Sequence, residues 1–82
     1  MTFTSSAHEP EPRTALVTGV GGPAGRAAAT WLSARSVRVV GTDVRDVRSL
    51  AWELRLVPAV SDPAFVQAML ALVEAERPTL LV

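Results

Sequence analysis

Apolar and polar positions along this chain fall into short blocks separated by glycine, proline and charge. Thr14–Thr18 (TALVT) is a nearly continuous apolar run before a glycine cluster, the pattern of a strand covered on both faces. Gly19–Gly22 predicts a turn, and Pro23 suits the first helical position because its missing N–H has no intrahelical partner there. Ala24–Ala34 is a run of good helix formers, with Ala24, Ala28, Trp31 and Leu32 close to one stripe. Val37–Gly41 (VRVVG) predicts a second strand, ending at Thr42 and Asp43. Val44–Glu53 carries Arg45, Asp46 and Arg48 and predicts an irregular or weakly helical connection. Leu54–Val57 is a short third strand closed by Pro58. Asp62 as cap and Pro63 as first residue open a second helix that runs to about Glu76, with Phe65, Met69, Leu72 and Val73 on one face. Pro78 stops it, and Thr79–Val82 (TLLV) is a fourth strand. Met1–Pro12 is polar, carries Pro10 and Pro12, and predicts a flexible leader.

The order is β-α-β-connection-β-α-β. Such alternation implies an α/β fold with a parallel sheet and right-handed crossovers. The expected strand order is 3-2-1-4, the first half of a doubly wound sheet. The reading is a three-layer, Rossmann-like half-domain over residues 13–82, truncated at its C-terminus because the sequence closes inside the fourth strand.

Composition narrows this picture in a few places. The 82 residues allow one small domain with a modest core. Eight basic residues balance eight acidic ones, so charge gives no argument for nucleic acid or an anionic membrane. No apolar run approaches the roughly 18 residues of a membrane span, and the first twelve residues lack the pattern of a secretory signal. A cytoplasmic protein is expected. Every basic residue is Arg, which excludes a Schiff-base or phosphate-loop lysine within this sequence. No Cys is present, so disulfides, thiolate metal sites and a Cys nucleophile are excluded as well. His8 sits in the polar leader and reads as solvated.

The candidate chemistry lies at Gly19-Val20-Gly21-Gly22-Pro23-Ala24-Gly25. Gly19, Gly22 and Gly25 form G-x-x-G-x-x-G, while Ala24 breaks the alternative G-x-G-x-x-G that starts from Gly19 and Gly21. Gly19 permits a sharp turn out of the strand, Gly21 and Gly22 permit close backbone approach to a ligand, and Gly25 permits the helix to pack closely. The free N–H groups at the helix start then face an anion. Asp43 follows Gly19 by 24 positions, at the end of the second strand, where an acidic side chain meets a ribose hydroxyl in dinucleotide-binding folds. The bland alternative is a tight strand-to-helix turn with Asp43 solvated. Arg26 and Arg45 are candidate phosphate contacts or solvated surface; Trp31 and Trp52 are candidate stacking surfaces for a base, with Trp31, on the helical stripe, reading as core, and Glu74 and Glu76 read as solvated. No catalytic or metal-ligating constellation can be assembled.

Ala15–Gly25 (ALVTGVGGPAG), Val39–Asp43 (VVGTD), Leu56–Phe65 (LVPAVSDPAF) and Arg77–Val82 (RPTLLV) together resemble the N-terminal, Rossmann-like domain that precedes the ATP-grasp fold in carbamoyl-phosphate-synthase-like proteins. The resemblance covers Thr14–Val82. It implies a parent that joins a carboxylate to an amine through an acyl phosphate, with ATP and Mg²⁺ held by later lobes and not by this segment alone. The same loop, Asp43 and Val60–Pro63 are similar to extended short-chain dehydrogenases, which include sugar-nucleotide epimerases, although Pro23-Ala24 departs from that family's usual residues. That likeness implies NAD(P) at Gly19, Gly21, Gly22, Gly25 and Asp43; the family's catalytic Tyr and Lys are missing, since the sequence has neither residue type. Under both resemblances the chain is not catalytic by itself, and its partner is a small-molecule or nucleotide ligand. A third expectation is a non-enzymatic nucleotide-binding module that forms a homo-dimer through an exposed sheet edge.

Overall fold

β1 (Thr14–Thr18) holds the centre of the sheet because its neighbours pair with it on both sides. The computed structural model describes residues 13–82, so the leader and His8 lie outside the described residues. The further elements are α1 (Pro23–Ser33), β2 (Arg38–Asp43), β3 (Glu53–Leu56), α2 (Phe65–Glu76) and β4 (Leu80–Leu81). The four strands are parallel in the order β3-β2-β1-β4, with Leu16 opposite both Val40 and Leu81. The chain is an α/β, Rossmann-like half-domain with the expected order. Among the described residues, no helix is long and apolar enough to cross a membrane.

The two sheet faces are covered unequally. Ala15, Val17 and Val39 meet Val20, Ala29, Leu32 and Trp52 in one core beneath α1. Strand alternation turns the fully buried Leu16, Val40 and Thr42 to the other face, where α2 lies. α1 presents Gly25, Ala28, Ala29 and Leu32 inward, an i, i+3, i+4, i+7 stripe one residue away from the expected one. Ala24 is therefore exposed. Trp31 is 56% exposed instead of core. Its ring lies 3.5 Å from the Arg35 guanidinium, whose Nη1 also donates to the Trp31 carbonyl at 3.0 Å. The flat cation takes the place of core packing.

α2 begins later than Pro63. The Asp62 carboxylate accepts the Ala64 N–H at 2.8 Å and its carbonyl accepts the Phe65 N–H at 3.0 Å. These two bonds fold Asp62–Phe65 into a separate turn, so Asp62 caps that turn and Ala64 becomes the helix N-cap. Phe65, Met69 and Leu72 are half-buried as expected, Ala68 joins them, and Val73 faces outward. Val66 and Leu70 are exposed too, beside the polar face of Gln67 and Glu74, so the apolar surface of α2 extends past its inner side and no residue of it is buried.

Charge ties this loosely covered helix to the sheet. Arg38 donates through Nε and Nη2 to both Glu53 oxygens at 2.8 Å. Its Nη1 meets Glu76 Oε1 at 2.9 Å, and Arg55 Nη2 reaches Glu76 Oε2 at 3.2 Å. Glu76, expected to be solvated, is only 12% exposed at its side chain because two strands aim guanidinium groups at it. Glu74 stays exposed. The Arg38 fork holds the Glu53 carboxyl below its ordinary range and Arg38 above its own. Glu76→Gln should lower stability by about 1 kcal/mol in urea denaturation, since each ion pair of this exposure is worth a few tenths to one. Hydrogen exchange should speed up in α2 more than in α1.

Candidate functional site

The site is built where β1 and β2 end and α1 begins. Gly19 turns the chain with φ +60, and the Gly22 N–H closes the turn on the Gly19 carbonyl at 3.0 Å. Val20, the one side chain within this tip, is fully buried against Gly41, and its N–H donates to the Thr42 carbonyl at 3.0 Å. This anchor was not singled out from the sequence, although an apolar residue between glycines was its visible signal. Gly25 sits on the inward stripe of α1, directly over the loop. A Cβ there would overlap the Gly19 carbonyl and come within 2.9 Å of the Val20 Cα. The expected close packing thus has a specific partner, the backbone of the loop itself.

Gly21 and Asp43 come together, though not around an open ligand space. Asp43 is 8% exposed. Its Oδ2 accepts the Gly21 N–H at 2.9 Å, and its Oδ1 accepts the Arg45 N–H at 3.1 Å. Arg45 Nε stands 3.7 Å from Oδ1. A Cβ on Gly21 would meet Asp43 Oδ2 at 2.8 Å and the Val47 methyls at 2.9–3.0 Å. The space above Gly21 is therefore filled by the chain. Above Gly22 the nearest atom to such a Cβ is the Gly19 carbonyl oxygen at 3.5 Å, an ordinary contact. The first helical bond runs from Arg26 N–H to the Gly22 carbonyl at 2.8 Å, so the amides of Ala24 and Gly25 precede the helical ladder.

The flanking candidates divide. Arg26 is exposed, with Nη2 3.4 Å from the Gly21 carbonyl and its guanidinium 5.5 Å from the Trp52 ring centroid. Arg45 is exposed beyond its contact with Asp43. Trp52 is buried and its Nε1–H donates to the Val47 carbonyl at 2.9 Å, which makes it a core residue and not a stacking surface. Trp31 lies on the outer side of α1, away from the core.

A cleft of about 350 Å³ opens at the C-terminal ends of β1, β2 and β3. Thr18, Gly19, Thr42 and Asp43 form its floor, and Val44, Val57, Pro58, Val60 and Phe65 its largely apolar wall. The sequence marks Val57 as a strand end and Asp62 and Pro63 as a helix start, but no periodicity marks the cleft wall that the stretch between them makes. This end of a parallel sheet is where open α/β folds hold ligands. Among the described residues, no group of three or more His, Asp or Glu side chains is placed to hold a metal ion. No protein-family model matches the chain, and no curated protein matches it in sequence.

The N–H groups of Arg45 and Gly21 hold the Asp43 carboxyl below its ordinary range, against the opposing effect of burial. A depressed carboxylate pKa contributes stability that is complete above the unfolded value of about 3.9 and is lost as pH falls through the folded value. Acid titration of unfolding should therefore show a loss of stability below about pH 4, part of which disappears in Asp43→Asn. Asp43→Ala leaves two inward-facing amides without an acceptor and should cost about 1–3 kcal/mol at neutral pH by thermal or urea unfolding.

Proposed function

We propose that this chain is the N-terminal, Rossmann-like part of an ATP-grasp ligase-like protein. It shapes the substrate side of a site for ATP-dependent carboxylate–amine ligation and carries no catalytic group of its own. The observation that carries the reading is the internal use of Asp43. Both carboxylate oxygens are taken by the chain's own amides and Val47 covers Gly21, so the loop serves as architecture that fixes β1, α1 and β2. A ligand-sized space lies instead against the Val57–Phe65 run, one of the stretches on which the resemblance rests. ATP and Mg²⁺ would supply the acyl-phosphate chemistry in the parent. The residues here do not fit that pair: the sequence has no lysine, and no acidic cluster lies among the described residues. The role left to this part is to bind and orient a small substrate at the cleft, and a cytoplasmic setting goes with it.

One observation favours a second reading, the NAD(P)-binding half of an extended short-chain dehydrogenase. Asp43 stands at the end of β2 beside the glycine loop and the apolar cleft, where a ribose and its base would lie. Calorimetric titration with NAD, NADP and ATP separates the two. The ligase reading expects no dinucleotide binding up to millimolar concentration, and Asp43→Ala to affect stability only. Saturable NAD(P) binding that Asp43→Ala abolishes would overturn it. The coding sequence after Val82 offers an independent check: a Pro-Thr…Glu segment and a long ATP-grasp region are expected, and a Tyr-x-x-x-Lys motif counts for the dehydrogenase.

A further inference from the structure

Two threonines share the floor of the cleft. Thr18 and Thr42 stand opposite each other in the parallel register of β1 and β2, about 4.8 Å apart as neighbouring strands are. Strand alternation turns both to the α2 face, where Leu16 and Val40 precede them. Their hydroxyls differ in what they have left to offer. Thr18 Oγ1 donates to the Val82 carbonyl at 2.9 Å, so toward the cleft it presents lone pairs alone. Thr42 is 1% exposed, and among the described residues its hydroxyl has no hydrogen-bond partner. No fully enclosed side-chain oxygen among those residues lacks one, so the sliver of Thr42 left open is at its oxygen, on the cleft. The walls carry no charge: Val44, Val57, Val60 and Phe65 line them with hydrocarbon. Asp43 borders the cleft, but alternation sends its carboxylate to the α1 face, where the amides of Gly21 and Arg45 take both oxygens.

We infer that the cleft takes the uncharged, apolar end of a substrate that carries a hydroxyl there, and that Thr42 is its specificity-determining residue. The ligand hydroxyl sits between the two threonines, accepting from Thr42 and donating to Thr18. One atom thus satisfies both, whereas a carboxylate has no proton for Thr18 and an ammonium no lone pair for Thr42. An ionised group would also lose its hydration against hydrocarbon, with no opposite charge to offset the loss. The inference rests on the ligase reading for one point, the place of the reacting carboxylate or amine. That group is charged before reaction, so it stays outside the cleft, where parts of the parent beyond this chain act on it.

Cyclohexanol, cyclohexanecarboxylate and cyclohexylammonium share one ring and differ only in the head group. Each is titrated into the isotope-labelled chain and followed by amide chemical shifts. Cyclohexanol should move the amides around Thr42, Val57 and Phe65 saturably in the millimolar range, and the two ions should bind about tenfold more weakly or not at all. Thr42→Val keeps the branched shape without the hydroxyl and should weaken cyclohexanol about three- to tenfold. Thr42→Ser should retain the preference for the alcohol. Val60→Asp, at the exposed rim, should weaken cyclohexanol with the fold intact. Equal or tighter binding of either ion overturns the proposal. So does the failure of all three to bind, or an alcohol affinity that Thr42→Val or Val60→Asp leaves unchanged. Should Thr42→Val fail to fold, the order of the three probes on the parent chain and the Val60→Asp variant decide. The ligase reading falls by a different result, saturable NAD(P) binding that Asp43→Ala abolishes; a cleft that prefers the carboxylate leaves that reading standing.

Discussion

The contact on which the rest of this fold depends is the one between Gly25 and the Gly19 carbonyl. It seats the first turn of α1 on the loop that leaves β1, with no side chain between them. Everything inward of that contact is small as a result: Ala28 and Ala29 follow Gly25 on the same stripe, and Leu32 is the first large group. Helix and sheet approach closely, and Val17, Val20 and Val39 fill what remains. Asp43 completes the arrangement from the β2 side by accepting the Gly21 N–H, so a turn of glycines becomes a fixed corner. Low intrinsic order in the loop is offset by three backbone-directed anchors, at Val20, Gly22 and Gly21.

Much of the fold was legible because its signals are local. A glycine cluster after an apolar run, a proline at the first helical position and alternating blocks sufficed for the strand order β3-β2-β1-β4. The misreadings share one cause, the lack of any local signal for which side of an element finds a partner. Trp31 seemed core by size and spacing, yet the inward stripe is set by Gly25, a residue with no hydrophobicity to count. Glu76 seemed solvated because the two arginines that bury it lie on strands 21 and 38 positions earlier in sequence. Asp62 carries the sequence signature of a helix cap, yet its carboxylate closes a turn before the helix begins.

The candidate site was half legible. The glycines and Asp43 do gather at one corner, as their spacing implied. What spacing could not convey is that Asp43 and Val47 would occupy the space at Gly21 themselves. The cleft that remains is walled by Val57, Pro58, Val60 and Phe65, whose contribution arises from the path of the chain after β3 and from no periodic pattern.

The placement of the charges around α2 has a mechanical consequence. Glu76, which binds Arg38 and Arg55, is the last residue of that helix, and Phe65, which borders the cleft, is the first. The helix is thus clamped at the end far from the cleft and rests on partly buried apolar contacts at the near end. The near end is not loose, however, because the Phe65 N–H is held by the Asp62 carbonyl and Asp62 in turn by Ala59. One helix thus has two kinds of mooring: a hydrogen-bonded turn beside the cleft, and charge at the far end. Salt screens the second and leaves the first, whereas the cost of dehydrating the ions falls as temperature rises.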